Sequence, residues 1–457
     1  MDAMHIHHAM HTVPVIDAVL LAAGNSARFG ENKLLYPVDH KPMYRYMLEL
    51  LDKKQQERKL NRLVVVSQYE EILSDIREHF PHVQAVKNTK PENGISGSVR
   101  LGLACLLQRT PADDSRLWSA SAACLFAVAD QPGFSADSFE KLLNFWRTHD
   151  YGIAASAVFD RSDGAPDIRN PVIFSNAYYQ ELLQLTGDAG GRQVIRKHIK
   201  NTGLCELPAA ELKDLDTKDA LRQFESRLLL VREFPFLNET GHVISIVGAG
   251  GKTTLMELLA SYYADMGKRV IVTTTTHILC PQRYPTAKNH TQLIHLLKNN
   301  QIVAAGKDAL HGKLQMSDCM SVADYREAAD VVLIEADGAK HYPCKAPSET
   351  EPVIPDESDL VIGVVGMDAL GLPLSKACFR IEQVKALLGK SQEHLLTEAD
   401  MAKILLSDRG TRKNVGKRTY YIVLNKCLNA ALWERAGRVG QMLVRAGERH
   451  VVCMGEL

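Results

Sequence analysis

Short apolar runs alternate with amphipathic stretches along the first half of the chain. The apolar runs predict buried strands at Ala18–Leu21, Leu63–Ser67, Val83–Val86, Cys124–Ala129, Ile153–Ala157 and Val172–Phe174. Helical spacing of the apolar residues between them predicts helices near Met43–Glu57, Glu70–Phe80, Ser98–Gln108, Asp137–Thr148 and Gly191–Lys200. Strands that alternate with helices favour a largely parallel sheet with right-handed crossovers.

The alternation is interrupted once and then resumes. A polar, proline-bearing stretch predicts a linker over 226–240, which separates a first domain (15–225) from a second (241–457) and follows a flexible tail (1–14). Further strands are predicted at Val243–Val247, Val270–Thr274, Val331–Ala336, Val361–Val365 and Tyr421–Leu424. The pattern therefore predicts two three-layer α/β domains, whose opening loops differ in type.

Composition narrows the class of protein. A chain of 457 residues is too long for one ordinary core, and two domains of about 200 residues each are expected. Lys plus Arg and Asp plus Glu both number 54, so no basic field indicates nucleic acid or a membrane surface. No apolar run approaches the ~20 residues needed to span a bilayer. The nine cysteines are scattered and form no Cys-x-x-Cys pair, which favours reduced thiols in the cytoplasm.

A glycine loop follows the first predicted strand. It begins with small residues and carries two cations: Leu21, Ala22, Ala23, Gly24, Arg28 and Lys33. A strand that runs into such a loop exposes backbone N–H groups at the carboxyl edge of the sheet, where anions bind in open α/β folds. An ordinary strand–loop connection is the alternative, since a glycine-rich turn alone is weak evidence.

Carboxylates follow at the same predicted edge. Asp130 ends an apolar strand, and Asp214 and Asp216 share one face of a later extended segment. Mg²⁺ takes one or two carboxylates plus phosphate oxygens, so Asp130 is a candidate metal ligand, and Asp214 or Asp216 would supply a second acid. A turn before Pro132 and an acidic helix cap are the alternatives.

Three further polar clusters are weaker evidence for a binding site when each is taken alone. Gly94, Ser96 and Ser98 would let a base or ribose lie against the backbone, although either serine could instead cap a helix. Asn170 stands in a polar loop beside an apolar element, as do Asp188 and Arg192.

Together these motifs resemble the molybdenum cofactor nucleotidyltransferases, in the cytidylyltransferase (MocA-like) branch, from Val15 to Phe224. The matching motifs, in order, are Leu21-Ala-Ala-Gly with Arg28 and Lys33, Gly94-x-Ser-x-Ser, Asp130-Gln-Pro, Asn170-Pro-Val, Gly187-Asp-x-Gly-Gly-Arg and Asp214-x-Asp-Thr. One departure is Asn170, where the family often has His. The resemblance implies a nucleotide-diphospho-sugar-transferase-like (Rossmann-like), mostly parallel sheet.

The resemblance also implies a reaction. A phosphate of molybdopterin attacks the α-phosphorus of a nucleoside triphosphate, and pyrophosphate leaves. Arg28 and Lys33 would offset phosphate charge, Asp130 and Asp216 would hold Mg²⁺, and Asn170, Asp188 and Arg192 would contact the acceptor. The Ala22-Ala23 pair resembles the branch that uses CTP. A transferase for another phosphorylated small molecule and a non-catalytic, nucleotide-switched cofactor carrier or chaperone are the alternatives.

The second domain opens on a strand, a glycine loop and a helix. Gly251-Lys-Thr is the tail of a P-loop, in which backbone N–H groups and Lys252 bind phosphates and the Thr253 hydroxyl binds Mg²⁺. The loop is short, because the position of the usual first glycine holds Ile246. Contacts to ATP or GTP are predicted at Gly248, Gly250, Gly251, Lys252, Thr253 and Thr254. A glycine-rich turn without a ligand is the alternative.

Acids end another predicted strand of this domain. Glu335 and Asp337 lie on one face, as a second magnesium-site element would. Asn425-Lys426 is similar to the start of a guanine-reading motif, but no Asp follows two residues later, so we assign it no base-reading role.

These features resemble the selenium-dependent hydroxylase accessory (YqeC-like) family over most of 241–457. The resemblance implies a P-loop NTPase-like sheet and a context, the maturation of molybdenum hydroxylases, rather than a defined reaction. The expected partner is a molybdenum hydroxylase apoenzyme, with neither nucleic acid nor membrane, in the cytoplasm.

Overall fold

The computed structural model describes residues 16–24, 29, 32–108, 121–159, 166–279, 283–309 and 312–455. The predicted tail, 1–14, therefore lies outside the described residues. The chain divides into two compact units between Leu229 and Leu230.

The first unit contains nine strands and six complete helices among its described residues, and a seventh helix begins in it and ends four residues past Leu229. The strands are β1 (Ile16–Ala22), β2 (Pro37–Val38), β3 (Lys41–Pro42), β4 (Leu63–Ser67), β5 (Gln84–Lys87), β6 (Ala123–Val128), β7 (Ile153–Phe159), β8 (Pro166–Ser175) and β9 (Thr202–Glu206). The helices are α1 (Met43–Gln56), α2 (Glu70–His79), α3 (Gly94–Leu107), α4 (Ala136–Thr148), α5 (Tyr179–Leu183), α6 (Arg192–Lys197) and α7 (Lys218–Glu233).

Its main sheet has seven strands in the order β5-β4-β1-β6-β8-β7-β9. β1 pairs in parallel with β4 and β6, whereas β8 runs antiparallel to both of its neighbours. Alternate residues of β1 enter separate cores: Leu20 packs into one cluster and Val19 into another, since successive side chains of a strand point to opposite faces. Because β4 and β6 flank β1 on opposite sides, the carboxyl end of β1 lies at a switch point of the chain, where α/β sheets bind ligands.

The second unit contains thirteen strands and seven helices among its described residues. The strands are β10 (His242–Gly248), β11 (Val270–Thr274), β12 (His277–Leu279), β13 (Thr286–Ala287), β14 (Ile302–Ala305), β15 (Lys307–Ala309), β16 (Lys313–Gln315), β17 (Val331–Glu335), β18 (Cys344–Lys345), β19 (Leu360–Gly366), β20 (Cys378–Phe379), β21 (Thr419–Asn425) and β22 (His450–Cys453). The helices are α8 (Lys252–Asp265), α9 (His290–Asn299), α10 (Val322–Ala328), α11 (Leu374–Ala377), α12 (Ile381–Leu388), α13 (Glu398–Leu406) and α14 (Ala430–Arg445).

The main sheet of the second unit has eight strands in the order β13-β14-β11-β17-β10-β19-β21-β22. Every pairing in it is parallel. β10, β17 and β19 are buried over nearly all their residues, as expected for strands covered on both faces. The carboxyl ends of β10, β17, β19 and β21 consequently share one edge, which carries the glycine loop.

The predicted α/β fold class is confirmed in both units. The predicted linker differs from the structure, since α7 continues to Glu233 and a 3-10 turn, Pro235–Asn238, follows it. Apolar residues of this segment are buried, including Leu230, Phe234 and Phe236, and their packing holds the backbone in helical form. Among the described residues, the structure has no helix whose length and apolar character would let it cross a bilayer.

A glycine on α3 sets how closely that helix approaches β1. A Cβ added to Gly102 would lie 2.5 Å from Cγ1 of Val19, whereas a Cβ on Gly437 of α14 would meet nothing within 4 Å. We expect Gly102→Ala to destabilise the first unit by about 1–3 kcal/mol through overpacking. Gly437→Ala, the matched control, should stabilise the second unit by up to about 1 kcal/mol through helix propensity. Urea unfolding of both variants measures this, and a neutral Gly102→Ala would contradict the close approach.

Candidate functional site

Lys33 lies between two carboxylates in the first unit. Its Nζ donates to Oδ2 of Asp130 at 2.6 Å and to Oδ1 of Asp216 at 2.5 Å, and the lysine is only 6% exposed. Burial alone would favour the neutral amine, but the two carboxylates raise the pKa of Lys33 above its ordinary value. The predicted catalytic lysine and the two predicted metal ligands therefore form one charged cluster.

Local structure brings these three side chains together. Lys33 begins a short 3-10 turn, Lys33–Leu35, in which the Asn32 side chain accepts a hydrogen bond from the Leu34 N–H. Asp130 follows β6, and its carbonyl accepts from the Leu215 N–H at 3.0 Å, which ties the Asp216 segment to the end of this strand. The cluster thus lies at the carboxyl edge beside β1.

Asp214 has a different environment from Asp216. Its Oδ1 accepts from Nε2 of Gln131 at 2.8 Å. Burial, and then the nearby charge of Asp130, raise the pKa of the Asp214 carboxyl. Of the two acids on this segment, Asp216 is the one that contacts Lys33.

The glycine loop is tethered through its carbonyl groups. The carbonyls of Ala22, Ala23 and Gly24 accept hydrogen bonds from the side chains of Ser67, Gln68 and Tyr69, at 2.9, 2.8 and 2.8 Å. These bonds fix the start of the loop against the segment that follows β4. The second predicted cation, Arg28, lies outside the described residues.

The start of α3 contacts a predicted substrate residue. Gly94 has φ +66°, and a Cβ there would lie 1.9 Å from Oδ1 of Asp188, so only glycine fits this contact. Ser96 and Ser98 are buried inside the helix, where the Ser98 hydroxyl accepts from Nδ2 of Asn88 at 3.1 Å. The alternative that a serine caps the helix is wrong, because Asn93 occupies that position.

A cavity of about 400 Å³ opens beside Asp130. Its apolar lining includes Leu21, Ile95, Val99, Phe126, Val172 and Phe174. Its polar lining includes Asp130, Asn170, Asp188, Arg192 and Asp214. The structure therefore gathers all three predicted substrate residues around one space that also reaches a predicted metal ligand.

Two arginines that line this cavity were not among the site residues predicted from the sequence. Arg196 stands four residues after Arg192 on α6, so the helical repeat was a signal for placing both on one face. Arg169 adjoins Asn170 and forms an ion pair with Asp167, with 2.6 Å between the guanidinium and the carboxylate. The lining of the cavity consequently carries three arginines as well as three aspartates and the apolar side chains.

Each glycine of the second loop is required by close packing. Gly248, Gly250 and Gly251 have φ of +95°, +81° and +124°. Added Cβ atoms would lie 2.2 Å from the Val364 carbonyl oxygen, the Gly366 nitrogen and the Asn425 Nδ2, respectively. The loop therefore packs directly against the ends of β19 and β21.

Part of the loop's backbone already has hydrogen-bond partners. The N–H groups of Gly248, Ala249 and Gly250 donate to Asp337 Oδ2, the Val364 carbonyl and the Tyr342 carbonyl, at 3.0, 2.9 and 3.1 Å. Gly248 and Gly250 thus shape the loop, in contrast to their predicted contact with phosphate. The donors left for an anion are those of the first turn of α8, where Thr253 and Thr254 are exposed.

Lys252 is buried beside Glu335, which ends β17, and Asp337, which follows it. Its Nζ donates to the Gly248 carbonyl at 2.8 Å and lies 3.4 Å from Glu335 and 3.3 Å from Asp337. Burial opposes the charged form, but Asp337 and Glu335 raise the pKa of Lys252. Burial also raises the pKa of Glu335, whose Oε2 accepts from the Thr253 hydroxyl at 3.3 Å.

Asp337 forms a buried bridge between two lysines. Lys345 Nζ lies 2.8 Å from its Oδ2 and donates to the Gly338 carbonyl at 2.6 Å. Asp337 and Lys345 are each 2% exposed, and burial lowers the pKa of Lys345. The predicted metal role of Asp337 differs from this arrangement, since its oxygens face lysines and the Gly248 N–H. Lys345 itself stood in the sequence without an assigned role.

The oxygen groups present fit a hard divalent cation. In the first unit, Asp130 and Asp216 already converge on one positive charge, and in the second the Thr253 hydroxyl faces Glu335. The described residues contain no group of three or more His, Cys, Asp or Glu side chains arranged to hold a metal. An ion at either place would therefore take further ligands from phosphate and water, as Mg²⁺ commonly does.

Comparison with known proteins divides the chain in the same way. Residues 18–202 match the family model described as a MobA-like NTP transferase domain, and residues 244–382 match the one described as YqeC protein. The Escherichia coli (strain K12) protein described as "Uncharacterized protein YqeC" is 35% identical over 210 residues, which cover 41% of this chain and 78% of that protein.

Solved structures that are similar to about half of the chain include the following two. The Rv0371c protein of Mycobacterium tuberculosis H37Rv is 20% identical, with a TM-score of 0.37, and the match covers 47% of this chain and 100% of that chain. The 4-diphosphocytidyl-2C-methyl-D-erythritol synthase of Anaerococcus prevotii DSM 20548 is 15% identical, with a TM-score of 0.36, over 48% of this chain and 100% of that chain.

Removing the charge of Asp337 tests the buried bridge. We expect Asp337→Asn to destabilise the second unit by about 3–5 kcal/mol, because Lys252 and Lys345 lose a shared counter-ion. The double variant Asp337→Asn/Lys345→Met should lose less free energy of unfolding than the single variants Asp337→Asn and Lys345→Met lose in total. Asp356→Asn is the control, since that carboxylate is exposed. Urea unfolding measures all four variants, and strict additivity would contradict the coupling.

Proposed function

Because the chain belongs to the YqeC family and also carries a MobA-like NTP transferase domain, we propose that its first unit transfers a nucleotidyl group to the phosphate of molybdopterin or molybdenum cofactor. The proposed donor is CTP, and pyrophosphate is the second product. The observation that carries this proposal is the Lys33 ammonium, held between Asp130 and Asp216 beside the cavity of about 400 Å³.

The cavity suits a flat, partly apolar acceptor that carries a phosphate. Ile95, Phe126 and Val172 offer an apolar surface to a heterocycle, and Arg192 offers charge-assisted hydrogen bonds to an anion. Asp130 lines the same space, so an acceptor phosphate directed toward it would meet the Lys33 cluster. Positioning of this kind supplies much of the rate enhancement in phosphoryl-type transfer.

The transfer itself is a displacement at phosphorus. An acceptor phosphate oxygen forms a bond to the α-phosphorus while the bond from that phosphorus to the bridging oxygen breaks, and the electron pair leaves with pyrophosphate. Lys33 neutralises charge on the transferring group, and Asp130 and Asp216 would hold Mg²⁺. When bound there, Mg²⁺ would neutralise phosphate oxygens and orient nucleotide and acceptor.

For the second unit we propose nucleotide binding that assists cofactor handling or insertion. The exposed Thr253 and Thr254 at the start of α8, with Lys252 and Glu335 beneath them, support a phosphate and Mg²⁺ site. The proposed partner is a molybdenum hydroxylase apoenzyme. A cytoplasmic location is supported by the cysteines, all free among the described residues.

Lys33→Ala tests the catalytic assignment. We expect it to lower the rate of pyrophosphate release by about 10²–10³-fold, the scale for one lost charge-stabilising donor. Purified protein, Mg²⁺, the molybdenum cofactor or its metal-free pterin, and each nucleoside triphosphate in turn make up the assay.

Lys54→Ala is the matched control. Lys54 is likewise buried and likewise paired with two carboxylates, Glu57 and Glu140, but it lies on α1 away from the cavity. It should lower the melting temperature without a comparable loss of rate. Absence of pyrophosphate release with every nucleotide would contradict the enzyme proposal and favour a nucleotide-switched carrier. If Lys33→Ala unfolds while Lys54→Ala stays folded, the role of Lys33 is structural rather than catalytic.

Arg192→Ala tests which substrate occupies the cavity. We expect the KM for the pterin acceptor to rise about 10-fold, the effect of one lost hydrogen bond to a charged group, with the KM for the nucleotide unchanged. Arg222→Ala removes an exposed arginine of α7 and serves as the control for overall charge. A rise confined to the nucleotide KM would assign the cavity to the donor instead.

A further inference from the structure

Three polar residues lie beside the second glycine loop and have no part in its phosphate contacts. Asn425 ends β21, Lys426 follows it, and Asp368 follows the adjacent parallel strand β19. All three therefore lie at the sheet edge that carries the loop.

Asn425 connects this group to the loop. Its Nδ2 donates to the Gly250 carbonyl at 2.8 Å and lies where a Cβ on Gly251 would collide with it. The residue is 2% exposed, and its Oδ1 has no hydrogen-bond partner among the described residues. A buried acceptor without a partner is costly, so this oxygen is suited to an N–H donor from a ligand.

Lys426 and Asp368 form a pair at the mouth of this corner. Lys426 Nζ donates to Asp368 Oδ2 at 3.0 Å, and the two side chains are 34% and 33% exposed. Asp368 Oδ1 is a second buried acceptor that lacks a partner among the described residues. Backbone bonds from Lys426 and Cys427 to Gly455 and Met454 hold the turn in place.

This arrangement changes the interpretation of the Asn425-Lys426 pair. Position 428 is leucine, so the sequence offers no carboxylate two residues after the lysine. The tertiary structure supplies one from a neighbouring strand, because β19 and β21 run in parallel and end together.

We propose that Asn425, Lys426 and Asp368 read the base of a guanine nucleotide whose phosphates lie at the start of α8; this rests on the nucleotide site proposed above. Guanine presents two adjacent donors, N1–H and the 2-amino group, which match one carboxylate. Adenine presents an acceptor at N1 and no 2-amino group, so it would give no donor to Asp368 Oδ1. The Lys426 stem would cover one face of the base.

Calorimetric titration of the full chain with GDP, ADP and xanthosine diphosphate tests this proposal. The first unit also binds nucleotide, so the titration is repeated with Lys252→Ala. The part of the binding signal that this variant loses is assigned to the second glycine loop. We expect this part to favour GDP over ADP. Its absence for every nucleotide would overturn the proposed nucleotide site and, with it, the base-reading subsite.

Asp368→Asn distinguishes the base-reading role from the phosphate site. The change should lower GDP affinity roughly 10- to 100-fold. It should also raise the affinity for xanthosine diphosphate, because an amide can donate to the 2-oxo group of xanthine. Asp356→Asn, an exposed carboxylate in the same unit, should change neither affinity.

A gain of xanthosine diphosphate binding cannot come from misfolding, so this result would be decisive in favour. Preference for ADP, or unchanged GDP binding in Asp368→Asn, would overturn the base-reading proposal while leaving the nucleotide site standing. The base-reading proposal would also be overturned if Asp368→Asn kept its native melting temperature and lost GDP binding without gaining affinity for xanthosine diphosphate.

Discussion

Burial of a lysine ammonium between two carboxylates is the interaction on which each unit's candidate site depends. In the first unit Lys33 meets Asp130 and Asp216, and in the second Lys252 meets Glu335 and Asp337. An ammonium taken out of water is stable only when its charge is compensated at close range. Strand ends supply three of these acids, since Asp130 follows β6, Glu335 ends β17 and Asp337 follows it. Asp216 lies on a segment that the Leu215 N–H ties to the Asp130 carbonyl.

The two clusters nevertheless differ in what they leave accessible. Asp216 is 46% exposed at its side chain, so the first cluster faces solvent and the cavity. Asp337 and Lys345 are almost fully buried, and they join the glycine loop to β18. The first cluster is therefore suited to direct contact with reacting phosphates, whereas part of the second maintains the shape of the loop.

Close backbone approach is the second constraint common to both sites. Gly94 lies against Asp188, and Gly250 lies against Gly366, at distances that no Cβ would permit. Such contacts make each loop depend on residues far away in the chain.

Much of the fold could be predicted from local pattern. The strands Leu63–Ser67 and Val270–Thr274 have the predicted bounds, because uninterrupted β-branched runs are typical of buried parallel strands. α3 begins at Gly94, before the predicted Ser98, because its first turn consists of small residues that carry no apolar period. α7 extends into the predicted linker as far as Glu233, since tertiary burial outweighs the polar composition of this segment.

Periodicity and motif spacing are local properties, so the amino-acid sequence was enough to predict the two α/β domains, the two glycine loops and the types of residue available at the sheet edges. The contacts between these groups became known from the folded chain: Lys33 contacts Asp216 rather than Asp214, Asp337 contacts two lysines, and Lys426 contacts Asp368. Those pairings depend on strand order and on how closely the strand ends approach one another, and neither property is encoded within a single segment.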